Sequence, residues 1–294
     1  MWWILAVAVV MAAALFYIWQ NKTVAVQHIT FESDRVQKEF SIALLSDLHA
    51  NAWLTDVKKL VRKQKPDMIA FAGDVFDETG SSNRNVRTNA LLLEFCCIAP
   101  CFYVKGNHEY RIRNIDVLTD VMRSHGVQVL ENELCTVNIS GQQVTIAGLD
   151  AAANMHGHFH TAQPNQKQID LLRGLSHGAG IRLVLDHYPE NFALKEQYSY
   201  NGCEFEAMFS GHAHGGQVRL PFIGALYAPG QGILPTYTSG LYVGAQHPDG
   251  REKNRLIVSR GMGGRWFLPR VFNRAQIIMV HVLPMKEQKG NQTL

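Results

Sequence analysis

The sequence predicts an α/β protein organised as an α+β sandwich: two mixed sheets packed face to face, helices outside them, and one transmembrane helix at the N-terminal end. Three observations carry this. Short apolar runs bounded by polar or turn residues recur along the chain and read as buried strands. In the first half they alternate with helical patterns, the sign of an α/β arrangement. In the second half strands follow one another with fewer helices between them, which a second sheet stacked on the first accommodates within one domain.

The elements follow in order. Trp2 to Trp19 is uncharged and almost wholly apolar. At about 1.5 Å per residue it is just long enough to cross a hydrocarbon core of roughly 30 Å. Trp2, Trp3, Tyr17 and Trp19 cluster at its ends, as interfacial anchors do. No basic residue precedes the span and no small-residue cleavage site stands before Trp19-Gln20-Asn21-Lys22, so it reads as a retained anchor rather than a cleaved signal. Residues 1–21 are therefore assigned to the anchor and 22–294 to one globular domain. Lys22, Arg35 and Lys38 follow the span, and by these three charges alone the positive-inside rule holds that domain on the cytoplasmic side of the cell membrane.

Val24 to Phe40 reads as a strand pair or a strand with a polar turn, and leads into a strand at Ile42 to Leu45. Trp53 to Lys65 has helical spacing, with Leu54, Val57, Leu60 and Val61 on one stripe, and stops at Pro66. Strands at Met68 to Ala72 and Cys101 to Val104 flank a helix at Asn89 to Ile98, and Ile115 to His125 is a further helix stopped by Gly126. Gln143 to Leu149, Ile181 to Leu185, Glu206 to Phe209, Leu256 to Ser259 and Gln276 to Leu283 are the later strands.

Composition bounds the function. With 294 residues, 47% hydrophobic, the chain can bury an enzyme-sized core. A net charge of +3, dispersed along the chain, argues against a nucleic-acid partner, which would show a basic stripe. The five cysteines, Cys96, Cys97, Cys101, Cys135 and Cys203, are odd in number and lack paired spacing, so neither a disulfide framework nor a thiolate zinc site is expected. No obligate protein partner is indicated.

Five of the strands end in metal-ligating residue types: Asp47-Leu48-His49, Gly73-Asp74-Val75-Phe76-Asp77, Gly106-Asn107-His108-Glu109, Asp186-His187 and Gly211-His212-Ala213-His214. Strand C-termini form the binding edge of open sheets, where residues distant in sequence converge. Carboxylates, imidazoles and an Asn carbonyl make a mixed nitrogen and oxygen set suited to manganese, iron or zinc rather than calcium. Seven candidates, Asp47, His49, Asp74, Asn107, His187, His212 and His214, exceed one tetrahedral ion but fill two sites if one carboxylate is shared. Asp74, preceded by a glycine that allows a tight turn, is the natural bridge. Two ions roughly 3.5 to 4 Å apart suit phosphoryl hydrolysis.

These motifs, in this order from Asp47 to His214, resemble the motif set of the calcineurin-like metallophosphoesterase superfamily. Within it the N-terminal span, Gly211-His212-Ala213-His214-Gly215-Gly216-Gln217 and Ser259-Arg260-Gly261-Met262-Gly263 resemble the membrane-associated bacterial branch of YkuE- and YaeI-like phosphoesterases. The resemblance implies a four-layer α-β-β-α fold. It implies one ion held by Asp47, His49, Asp74 and His214 and a second by Asp74, Asn107, His187 and His212, with manganese first and iron, zinc or magnesium as alternatives. It also implies that His108 is a catalytic imidazole rather than a ligand and that Asp77 orients it.

The resulting expectation is a membrane-anchored phosphodiesterase or phosphomonoesterase that cleaves phosphate ester or pyrophosphate bonds by attack of a metal-bridging hydroxide, with a lipid-linked or nucleotide substrate in play. A metal-dependent nuclease and a non-catalytic metal-binding scaffold are the alternatives. Arg219, Arg260, Arg265, Arg111 and Arg113 are candidate phosphate contacts, with solvated surface arginines as the plainer reading. The apolar Pro221 to Leu234 stretch is either a lip facing membrane or lipid or, as the reading preferred here, a core-covering loop.

Overall fold

The structure, a computed structural model, describes residues 2–50, 54–78, 82–151, 165–193, 200–248, 250, 252–263 and 269–285. Trp53 and Arg265 lie outside the described residues. Helix α1 (Trp2–Lys22) precedes strands β1 (Val24–Ser33) and β2 (Phe40–Leu45). Then come α2 (Leu54–Gln64), β3 (Met68–Ala72), α3 (Ser82–Leu93), β4 (Cys101–Val104), α4 (Ile115–Ser124), β5 (Gln128–Val129), β6 (Glu133–Ile139) and β7 (Gln142–Gly148). Next are α5 (Gln166–Ser176), β8 (Ile181–Leu185) and β9 (Ala207–Ser210). Two short hairpins follow, β10 (Arg219–Leu220) with β11 (Gly224–Ala225) and β12 (Tyr227–Ala228) with β13 (Gly232–Ile233), and then β14 (Gly240–Val243), β15 (Arg255–Val258) and β16 (Ala275–Pro284).

Two six-stranded mixed sheets result, ordered β1-β16-β2-β3-β4-β5 and β14-β15-β9-β8-β7-β6. In the first, β2 to β5 are mutually parallel and β16 runs against β2. In the second, β7, β8, β9 and β15 are parallel, with β6 and β14 antiparallel at the edges. The period of two along each strand makes the layers. Ile42, Leu44, Met68 and Ala70 meet Leu183, Leu185, Phe209 and Ile257 between the sheets, whereas Ala43, Leu45, Ile69 and Phe71 turn to Val57, Val61, Leu118 and Met122 of α2 and α4. On the far side Val184, Met208 and Leu256 pack on Ile169, Leu172 and Leu175 of α5. These strands are apolar throughout because both faces are covered, and each large side chain so buried contributes about 1.5–3 kcal/mol.

The four-layer α-β-β-α sandwich is the expected one, but several elements differ from the sequence reading. Helix α3 begins at Ser82 rather than Asn89, because its buried face is polar at first: Asn85, Thr88 and Asn89 are buried, and Asn89 Nδ2 donates to the Leu118 carbonyl at 3.0 Å. Helix α5 was not foreseen, although Asn165 and Gln168 form a capping box at its start. Edge strands β6 and β14 carry too little apolar alternation to announce themselves. The Pro221 to Leu234 stretch covers the core only in part: Ala225 and Ala228 are buried, Ala228 against the cluster of Met208 and Leu256, whereas Phe222, Ile223, Ile233 and Leu234 are exposed. None of the five cysteines forms a disulfide.

Every residue described in α1 is exposed except Gln20 and the half-buried Asn21. It is the one helix among the described residues long and apolar enough to cross a membrane, with mean hydropathy 2.2.

Candidate metal centre

All five motif loops leave the sheets at one edge. The loop after β2 is zipped to the loop after β3 by backbone bonds: the Asp47, His49 and Ala50 N–H groups donate to the carbonyls of Gly73, Asp74 and Val75 at 2.9–3.0 Å. Asp47, His49, Asp74, His212 and His214 all adopt left-handed backbone, with φ between 48° and 63°. For a non-glycine residue this conformation costs of order 1–3 kcal/mol and persists where surrounding structure dictates it, as at functional sites. The turn needs glycine beside it. A Cβ on Gly73 (φ 81°) would lie 2.5 Å from His187 Nδ1 and 2.8 Å from the Gly106 backbone.

The side chains converge in two triads sharing a wall. One ligand atom each from Asp47, His49 and His214 lie within 4.8 Å of one another, and so do those of Asp74, His187 and His212. Asp74 stands between them: its Oδ2 is 3.2 Å from His187 Nε2 and 3.9 Å from both His49 Nε2 and His108 Nε2. His49 and His214 bring their Nε2 atoms to 3.2 Å. Asn107 Oδ1 is 3.2 Å from His187 Nε2, while His187 Nδ1 lies 2.8 Å from the Ala72 carbonyl, which fixes the ring so that Nε2 faces the cluster. The structure thus brings all seven candidate ligands together.

The donor set suits cations. Asp47 Oδ2 is buried with no hydrogen-bond partner among the described residues, an expensive state for a carboxylate that a coordinated cation relieves. Burial pushes the Asp47 carboxyl up to about 6 and the His49 imidazole down to about 4, leaving His49 neutral, the form in which an imidazole can ligate a metal. For His187 burial opposes the charged form, but Asp74 outweighs it and raises the ring to about 10, while Asp74 itself is held well below the usual range.

His108 sits over this wall, its backbone N–H donating to Asp74 Oδ1 at 2.9 Å. Its Nδ1 lies 3.8 Å from Asp77 Oδ1, an ion-pair distance rather than a hydrogen bond, and 3.9 Å from Glu78 Oε1. Burial works against the imidazolium, but Asp77, then Asp74 and Glu78, raise the ring above its ordinary value. A third triad of His49, Asp77 and His108 also falls within ligating distance, so geometry by itself does not separate His108 from the ligands.

The sequence reading assigned Glu109 and Glu78 no role. Glu109 is fully buried and gathers four backbone N–H groups: Oε1 accepts from Val75 (2.7 Å) and Phe76 (3.0 Å), and Oε2 from Asp74 (3.0 Å) and Gly106 (2.8 Å). Burial and Asp74 push its carboxyl up to about 7, and the N–H donors pull it back. Its place in Gly106-Asn107-His108-Glu109 was the available signal. Among the arginines, Arg219 is spent on the Gly215 carbonyl and Thr238, Arg260 on Ser239, and Arg111 on a two-pronged contact with Glu78. Arg113 is exposed.

Also unforeseen is a link from α1 to the His212-His214 loop. Gln20 Oε1 accepts the Asn273 N–H, and Asn273 Nδ2 donates to the carbonyls of His214 (2.7 Å) and Gln217 (3.2 Å). Asn21 brackets Arg270, accepting from its N–H at 2.7 Å and donating to its carbonyl at 3.1 Å.

A two-sheet sandwich with histidine and carboxylate triads at a common strand edge defines a metallohydrolase-type centre. The chain belongs to the calcineurin-like phosphoesterase family, matched by residues 40–216, whose members use pairs of divalent metal ions. It is 29% identical over 267 residues to a metallophosphoesterase of Campylobacter jejuni, covering 89% of this chain and 64% of that protein, so it spans just under two thirds of that relative's length. It is 26% identical over 255 residues to phosphodiesterase YaeI of Escherichia coli, covering 83% of this chain and 82% of that one. To the UDP-2,3-diacylglucosamine pyrophosphatase LpxG of Chlamydia muridarum it is 26% identical over 336 residues, covering 94% and 95%.

Proposed function

We propose that the protein is a membrane-anchored, dinuclear-metal phosphohydrolase acting on phosphate ester or pyrophosphate bonds, with residues 1–21 as the anchor and 22–294 as the catalytic domain. The observation that carries it is the position of Asp74 Oδ2, within 3.9 Å of His49, His108 and His187 and so available to both triads. Asp47, His49, Asp74 and His214 would hold one ion, and Asp74, Asn107, His187 and His212 the other. The mixed nitrogen and oxygen set favours manganese, then iron, zinc or magnesium. Such a pair supplies Lewis-acid activation of water and neutralisation of phosphate charge.

The chain's own residues supply the rest. His108, whose ring is raised above its ordinary value by Asp77, Asp74 and Glu78 against the cost of burial, donates from Nε2 to a phosphate oxygen or to the departing alkoxide. Glu109 holds the loops that carry Asp74, Asn107 and His108 at one spacing through its four N–H contacts. A lipid-linked substrate at the cell membrane is supported by the apolar span of α1 and by the relative named as a diacylglucosamine pyrophosphatase. Lys22, Arg35 and Lys38 favour the cytoplasmic side.

The test is hydrolysis of bis-p-nitrophenyl phosphate by full-length protein in detergent with Mn²⁺, followed by chelation. Turnover that chelation abolishes and Mn²⁺ restores is expected. Inertness with manganese, iron, zinc and magnesium alike would sink the catalytic reading.

A further inference from the structure

The hairpins that follow the His212-His214 loop spend apolar surface in an unusual way. Phe222 is fully exposed, Ile233 is 82% and Leu234 61% exposed, and Phe272 is 48% exposed. Phe222, Leu234 and Phe272 also hold left-handed backbone, with φ of 68°, 51° and 49°. Bulky side chains rarely adopt that conformation, and glycine or asparagine would fill it more easily. In water, each of these positions is unfavourable twice, by conformation and by exposure. Something that covers the side chains removes the second cost.

One backbone ladder ties these residues to the anchor. Val218 bridges Val271, with Arg219 N–H on the Val271 carbonyl at 3.0 Å, and Leu226 N–H reaches Val218 and Leu234 N–H reaches Leu226 at 3.1 and 3.0 Å. Next to Val271, the Phe272 ring packs on Phe16 of α1 with centroids 5.2 Å apart. Arg274 lies over Trp19 at 4.7 Å, a pairing that suits headgroup level. Phe16 stands three residues, about 4.5 Å of helix, nearer the middle of the span. With α1 in a bilayer and Trp19 at headgroup level, Phe272 would sit where headgroups give way to acyl chains.

We propose that Phe222, Ile223, Ile233, Leu234 and Phe272 form a bilayer-inserting strip continuous with α1, which holds the metal centre against the headgroup plane and draws its substrate from the membrane. This rests on the membrane-anchored phosphohydrolase reading and adds the surface by which a lipid-borne phosphate ester or pyrophosphate reaches the site. The occupant is the bilayer rather than a protein because the strip adjoins the one apolar span found among the described residues and shares its aromatic boundary. The site shares in this placement: Asn273, beside Phe272, bonds the His214 carbonyl, and Arg219 of the first hairpin bonds the Gly215 carbonyl.

Full-length protein carrying Phe222→Trp, reconstituted in phosphatidylcholine vesicles, tests the surface directly. The emission gained over the parent is expected to be blue-shifted and quenched by phosphatidylcholine brominated high on its acyl chains. Emission at the aqueous position, quenched by iodide instead, overturns the proposal. A blue shift that brominated lipid leaves unquenched assigns the strip to a protein neighbour and overturns it too.

A second variant, Phe222→Asn with Leu234→Asn, keeps residues that tolerate the left-handed backbone while removing the apolar surface. It should turn over bis-p-nitrophenyl phosphate in detergent at the parent rate and lose about tenfold on a diacylglycerol p-nitrophenyl phosphodiester embedded in vesicles. Equal rates on the embedded ester would overturn the substrate claim. A parent inert toward bis-p-nitrophenyl phosphate sinks the catalytic reading, while the quenching result still decides the surface.

Discussion

Gln20 Oε1 accepts the backbone N–H of Asn273 at 3.0 Å, joining the end of the apolar helix to a residue whose own amide holds the His214 carbonyl at 2.7 Å. Gln20 is buried while nearly all of its helix is exposed. The apolar helix is therefore built into the edge that carries the candidate metal centre rather than hung from it by a linker.

Where the apolar helix is cut should consequently matter. A protein lacking residues 1–22 loses Gln20 and Asn21 and leaves the Asn273 and Arg270 backbone groups unsatisfied, each at about 1–3 kcal/mol. One lacking residues 1–18 keeps both. The longer deletion should melt lower and turn over bis-p-nitrophenyl phosphate several-fold more slowly, and Asn273→Ala in the full chain should move the same way. Identical melting and turnover for the two truncations would show that the link is idle.

His108→Ala and Asp74→Asn should part company. Loss of a general acid costs roughly 10²- to 10⁴-fold in turnover and leaves the ligands intact, so His108→Ala should retain its metal by elemental analysis. Asp74→Asn removes the shared carboxylate and should lose metal as well as activity. His108→Ala with parental turnover would remove His108 from the mechanism, and metal loss in that variant would move it among the ligands.

The pH profile reports on Asp77. With the imidazole raised by Asp77, Asp74 and Glu78, the protonated form is present at low pH and is lost as pH rises through the raised value. Asp77→Asn should bring the alkaline limb of turnover to lower pH, and Glu78→Gln should do so by less. An unmoved limb in Asp77→Asn would mean that it does not orient or charge His108.

Glu109→Gln preserves shape but turns an amide N–H₂ toward backbone N–H groups that the carboxylate received. Losing charge-assisted bonds in a buried place costs roughly 1.5–3 kcal/mol each. The variant should melt at clearly lower temperature and bind manganese more weakly by calorimetry, although Glu109 is absent from both triads. Unchanged melting would show that the four N–H contacts carry little.

The strands and their ligand-type ends were legible in the sequence because a strand buried on both faces must be apolar along its length, and its end shows as an abrupt change to polar residues. Met68 to Ala72 followed by Gly73-Asp74 is such a boundary. Helix α3 was misplaced because Asn85 and Asn89 meet polar partners, so burial there left no hydrophobic period to read. Glu109 was visible as a letter in a motif, but the Asp74, Val75 and Phe76 N–H groups of the neighbouring loop reach it only after β3 and β4 align.

The sequence alone determined the sandwich, the apolar N-terminal helix and the pool of ligating residue types, all of which are written in local hydrophobic pattern and residue chemistry. Tertiary structure alone decided that Asp74 stands between two triads, that Gln20 reaches the His214 loop through Asn273, and that the 221–234 stretch turns Phe222, Ile223, Ile233 and Leu234 outward. Each of these depends on distances between segments far apart in the chain, and no local period encodes such distances.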